Sequence, residues 1–164
     1  MATAGKPATI ADVADLVGVR TGETVYDFVD AVSARRFAVA AGMVAGLIAG
    51  PGSSGVRLLG ALGTTLVGLA LARANLDERD TPSPATARVL NAMFAARPMG
   101  LRPWKEEAAR WVRDAATWTA AELDAGLATL LRADARLKGT RLAGEAEVVI
   151  EVVLSLGRPG QEAA

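Results

Sequence analysis

Trp118-Thr-Ala-Ala-Glu-Leu-Asp-Ala-Gly-Leu-Ala-Thr-Leu-Leu-Arg-Ala-Asp-Ala-Arg-Leu-Lys-Gly139 reads as a helix signed at both ends. Thr119 and Glu122 stand three apart, so the hydroxyl can accept from the Glu122 amide while the carboxylate reaches back to the Thr119 amide. Gly139 is placed to take the left-handed conformation that stops a helix. Between them Leu123, Leu127, Leu130, Leu131 and Leu137 recur at steps of three and four, which winds them into one apolar stripe. Asp134 falls inside that stripe. Either it points past the leucines to water, or it is at least partly buried and held as an ion pair, by Lys138 one turn later in the favoured acid-before-base order or by a nearby Arg.

A helix of this kind sets the expectation for the whole chain. At 164 residues it is long enough for one core, and its apolar half is dominated by Ala, Leu, Val and Gly with few aromatics. That composition suits close-packed helices better than aromatic-rich strands. The sequence predicts an all-α fold, a compact bundle of about seven to eight helices.

Working back from Trp118, Pro103 opens a helix whose Trp104, Ala108, Trp111, Val112 and Ala115 share one side. Glu106 and Glu107 lie in its first turn, where the helix dipole favours acids, and are assigned to its solvated face. Val89, Leu90, Met93 and Phe94 mark a helix near 84 to 95, with Ser83 as cap and Pro84 at the first position. Two strongly apolar runs, 37 to 49 and 58 to 72, are joined by Gly50-Pro-Gly-Ser-Ser-Gly55 and are expected to form a helical hairpin. Gly42, Gly46, Gly50, Gly60, Gly63 and Gly68 within or beside them predict close backbone approach, since a helical Gly costs roughly 0.5–1 kcal/mol relative to Ala. Nearer the N-terminus, helices are expected over 9 to 17, capped by Thr9 and Asp12, and over 23 to 34. Glu145 to Leu156 is rich in β-branched residues, but Glu147, Glu151 and Ser155 recur every four positions and make it a helix.

The chemistry is as informative for what it lacks. Cysteine and histidine are absent, which removes disulfides, thiolate nucleophiles, imidazole bases and the usual zinc ligands. No phosphate-binding loop of the Walker type occurs, so no cofactor and no metal are expected. Eighteen basic and eighteen acidic residues cancel, which leaves no global field for nucleic acid. Arg110 and Arg113, like Arg35 and Arg36, read as solvent-facing charge or as local contacts to phosphate or a partner. The leader lacks a signal peptide, and a cytoplasmic protein is expected.

The order of features from 101 to 156 resembles a known family. Pro103-Trp104, the basic helix end from Arg110 to Arg113, the Trp118-Thr119 break, the capped Leu helix ending Ala-Asp-Ala-Arg-Leu-Lys-Gly, and Ile150-Glu151 look like the C-terminal part of the delta subunit of the bacterial DNA polymerase III clamp loader. Glu-Thr-Val-Tyr-Asp-Phe-Val-Asp-Ala-Val, from Glu23, is similar to the start of its collar domain. The resemblance implies a leader and last lid helix over 1–20, a helical collar domain over 21–157 and a disordered tail over 158–164. It also implies an acid at Asp134 four residues before Lys138. The function it implies is non-catalytic: holding neighbouring clamp-loader subunits during sliding-clamp loading in DNA replication, with DNA met only weakly or through the full complex. The isolated chain would be no enzyme, although the parent holoenzyme is a DNA-directed DNA polymerase, a nucleotidyltransferase. The alternative is a small membrane-associated helical hairpin built on residues 37–72. It is disfavoured because neither run reaches the roughly 18 to 20 uninterrupted apolar residues a bilayer requires.

Overall fold

The computed structural model describes residues 24–77, 82–139 and 144–158. Seven helices hold 81% of them: α1 (Val25–Ser33), α2 (Phe37–Ile48), α3 (Gly55–Asp77), α4 (Pro82–Ala96), α5 (Trp104–Ala115), α6 (Ala120–Gly139) and α7 (Glu145–Leu156). No strand occurs among the described residues, and the β-branched run at 145–156 is helical. The helix expected over 9 to 17, the lid assignment and most of the expected tail lie outside the described residues.

The bundle is organised around α3. Its Leu58, Leu62, Leu66 and Leu69 are wholly buried, and α1, α4, α5, α6 and α7 all pack on it. Spaced at three and four, these leucines form a continuous seam through the centre. The helix is a turn longer at its start than the apolar run suggested and continues past it to Asp77.

The expected hairpin is not closed. α2 packs chiefly against α7 and α1, while α7 also contacts α3 and α6. Val148, Val149, Val152 and Val153 are buried on α7, so its β-branched face fills the space where α2 and α3 would have met. The glycine expectation changes with it. A Cβ on Gly42, Gly46, Gly60 or Gly63 would meet nothing within 4 Å, so close approach is confined among these runs to Gly68. There a Cβ would enter the ring of Trp111 from α5. Gly126, inside the Leu helix, makes a second tight crossing against Leu156 and Leu66.

Several boundaries shift for local reasons. α4 starts at Pro82, which places both Pro82 and Pro84 in the first turn, where missing amides cost no hydrogen bond. Pro103 is the N-cap of α5 and not its first residue. α1 begins with a capping box that the sequence reading passed over, Thr24 with Asp27. Gly139 is the last helical residue of α6 and does not take a left-handed φ.

On α6 the buried line runs through Leu123, Gly126, Leu130 and Ala133. Leu127 and Leu137 flank it, and Leu131 is 72% exposed. The stripe is thus turned by about one residue from the all-leucine reading, because small residues at 126 and 133 let α6 sit close to its neighbours. Asp134 is left on the edge of the stripe.

Candidate functional site

The pair expected at the end of α6 is present but lies at the surface. Lys138 Nζ donates to Asp134 Oδ2 at 2.5 Å, with side-chain exposures of 63% and 34%. Next to it Arg136 reaches Glu151 at 2.9 Å, tying α6 to α7.

Arg110 and Arg113, taken together in the sequence, part company in the structure. Arg113 is exposed on α5 and bonds Asp114 at 2.8 Å, a contact that raises its pKa above the usual guanidinium value. Arg110 is buried and faces inward, so it cannot serve as the phosphate or partner contact expected of it. Its guanidinium bonds the buried carboxylate of Glu107, meets Asp30 at 2.7 Å, and donates to Ser33 Oγ at 3.2 Å. Glu107, assigned to the solvated face, is 2% exposed. A second cation, Arg102, bonds both oxygens of Asp30, and its Nε lies 3.3 Å from Glu107 Oε2.

Asp30, Arg102, Glu107 and Arg110 therefore form a closed cluster of two acids and two bases at the junction of α1, α5 and the connection before α5. Desolvated carboxylates persist only with such partners. The Asp30 bond raises the pKa of Arg102, burial opposes it, and the charges of Asp30 and Glu107 reinforce it. The cluster continues inward through Ser33, whose hydroxyl donates to Val29 O at 2.9 Å and whose carbonyl accepts from Trp118 Nε1 at 3.0 Å. Sequence reasoning missed it, though a signal existed: Glu107 stands three after Trp104 and four before Trp111, inside the buried face of α5.

Arg35, also read as solvent-facing, makes a second clasp. It follows the α1 C-cap with φ 59°, while Arg36 N–H donates to Ala31 O and Arg35 N–H to Val32 O, the paired bonds of a Schellman turn. A left-handed non-glycine residue costs roughly 1–2 kcal/mol. Contacts offset it: the guanidinium lies 4.7 Å from the Trp118 ring, donates to Thr117 O at 3.1 Å and bonds Glu122 at 2.7 Å. The Arg35 bond, opposed by burial and aided by the Thr119 amide and hydroxyl, lowers the Glu122 pKa to about 2. The carboxylate that caps α6 thus also fixes the turn after α1.

Above the ion cluster lies an exposed apolar corner. Phe94 is 59% exposed and meets half-buried Trp104 edge-on at 5.3 Å, with Met99 91% exposed on the connection between α4 and α5. Arg97 and Lys105 stand exposed beside it in the chain. Between this connection, α1 and α3 runs a cleft of about 460 Å³. Val25, Val29, Ala61 and Leu101 give it apolar walls, Arg57 lies on the α3 side, and neutralised Glu107 is at its base. A shallower apolar groove of about 770 Å³ separates α4 from α5, with Lys105 and Arg113 on its α5 wall.

Glu107, Asp30 and Glu122 are all bound by arginines, and among the described residues no three Asp or Glu side chains gather as a metal site would need. Compared with protein-family models, curated proteins and solved structures, the chain shows no significant match.

Proposed function

We propose that the chain is a non-catalytic assembly module of the DNA polymerase III clamp loader, the C-terminal collar part of a delta subunit. The observation that carries this reading is the ordered set of features from Pro103 to Gly139 and on to Glu151. Pro103 caps a helix that starts at Trp104, Trp118-Thr119 breaks the chain, and the Thr119–Glu122 box opens the long helix ending in Lys138-Gly139. In support, the exposed large side chains, Phe94, Met99 and Leu131 among them, offer apolar area of the sort that partner surfaces cover. On this reading the partners are neighbouring loader subunits, and DNA is met through the assembled complex. The test is co-elution of the purified chain with the other loader subunits of the same organism. Separate elution at micromolar concentrations of all components would sink the proposal.

A second reading is favoured by one observation. The stretch Gly55–Leu76 of α3 is long and apolar enough to cross a membrane, with mean hydropathy 1.6, and half of it is buried in the bundle. The core helix of a bundle meets the same criterion, and Arg57 and Arg73 lie within this one. Retention of the chain by membranes through a high-salt wash, with release only by detergent, would favour the hairpin alternative over the assembly module.

A further inference from the structure

The cleft between α1, α3 and the connection before α5 is graded from an exposed cation to a buried hydroxyl. Arg57, Gly60, Ala61, Thr64 and Thr65 line it from one face of α3, so this wall runs about 12 Å along the helix axis from Arg57 to Thr65. Arg57 is exposed, whereas Thr65 is 1% exposed and Glu107, which also lines the cleft, is buried too. Val25, Val29, Ala61 and Leu101 supply the apolar part of the lining. We infer that the cleft binds a small amphipathic acid: a carboxylate held by Arg57, an aliphatic chain laid along Ala61, and a hydroxyl at the far end bonded to Thr65.

The polar side chains of the lining select this ligand. Three of them are already engaged: the Thr24 hydroxyl donates to Asp27 at 2.7 Å, Tyr26 donates to the Gly100 carbonyl at 3.4 Å, and Thr64 donates to the Gly60 carbonyl at 3.1 Å. Two have capacity left. Arg57 spends one nitrogen on the Gly52 carbonyl at 2.8 Å and has no carboxylate partner among the described residues. The Thr65 hydroxyl has no hydrogen bond from or to a described residue, and a hydroxyl buried without a partner is costly. Charge fixes the polarity of the ligand. Glu107 is neutralised by Arg102 and Arg110, so Arg57 leaves the lining net positive and favours an anion at its end. At the buried end an uncharged hydroxyl fits, because it can both donate to and accept from Thr65, whereas a second carboxylate would be repelled by Glu107. At about 460 Å³ the cleft is of the size that small-molecule sites take. The inference does not depend on the clamp-loader reading, and its failure leaves that reading untouched.

Calorimetric titration of the full chain with three probes of one chain length tests each contact: 10-hydroxydecanoate, decanoate, which lacks the hydroxyl, and decanediol, which lacks the acid. The hydroxy acid should saturate a single site, with decanediol about tenfold weaker for want of the charge-assisted bond and decanoate several-fold weaker. Arg57→Gln should remove the preference for the hydroxy acid over the diol, and Thr65→Val, which keeps the shape of the side chain, the preference for the hydroxy acid over decanoate. Gly60 lines the cleft and a Cβ there meets nothing within 4 Å, so Gly60→Leu leaves the backbone undisturbed while its side chain fills the site and should abolish binding of all three probes. Unchanged circular dichroism and urea midpoint of that variant separate occlusion from unfolding. The absence of saturable binding by 10-hydroxydecanoate below about 1 mM overturns the inference. So does equal affinity for the hydroxy acid and either other probe, or binding that survives Gly60→Leu.

Discussion

The indole of Trp111 rests on the backbone of α3 at Gly68, so closely that a Cβ at position 68 would fall 2.3 Å from the ring. The ring is rigid and 2% exposed, and it cannot swing aside. Gly68→Ala should therefore cost about 1–3 kcal/mol by overpacking, although alanine is the better helix former. Gly42→Ala and Gly46→Ala, with open space around each, should instead stabilise by roughly 0.5–1 kcal/mol apiece. Urea unfolding of the three variants checks both signs.

Glu107→Ala should destabilise by about 3–5 kcal/mol, since it removes the buried carboxylate between two guanidinium groups and leaves Arg110 and Arg102 to share Asp30 alone. Replacing Glu107 and Arg110 together by Met and Leu should recover a good part of the loss, because an apolar pair of similar volume suits a desolvated site. Unfolding midpoints of the single and double variants at neutral pH settle the point; equal losses in both would mean that packing, and not charge, dominates there.

At the end of α6 a small effect is expected. Lys138 is 63% exposed, and its bond to Asp134 is open to water and salt. Asp134→Ala should change stability by about 0–1 kcal/mol, less at high ionic strength. A loss of several kcal/mol in urea titration would show that this pair does more than close the surface.

Acid should loosen the turn after α1. Glu122 has its pKa lowered from 4.5 to about 2 by Arg35, so the folded state holds the ionised form more tightly than the unfolded chain does. Its contribution is complete above pH 4.5 and is lost as pH falls from there toward 2. With the side chain 28% exposed, solvent screening reduces the effect to about 1–2 kcal/mol. Stability curves of Glu122→Gln should be flatter than those of the native chain over that window, and parallel to them above it.

The helical fold was legible because its evidence is local and repeated. Thr119 with Glu122, the four-residue rhythm of Glu147, Glu151 and Ser155, and the stripe through Trp104 and Trp111 each depend only on near neighbours. What the sequence could not reveal depends on residues far apart. Asp30 and Arg102 meet across 72 positions, and Arg35 meets Glu122 across 87, so neither pair leaves a spacing to read. Leucine was also over-trusted on α6: Leu131 faces water, while Gly126 and Ala133 mark the buried line because closeness there mattered more than hydrophobicity. Glu107 was misplaced by chemistry alone, since an acid in a first turn ordinarily faces solvent.

The wedge of α7 between α2 and α3 bears on how the chain is made. The valines that complete the centre lie roughly a hundred residues beyond α2, so during synthesis two apolar helices emerge long before the surface that separates them. Until Glu145–Leu156 arrives, the faces of α2 and α3 that it covers stay open to any other nascent chain. Assembly of the centre is a late event tied to the last helix. A ribosome-stalled chain ending near residue 140 should accordingly be a strong client for chaperones, and release of the final helix should end that dependence.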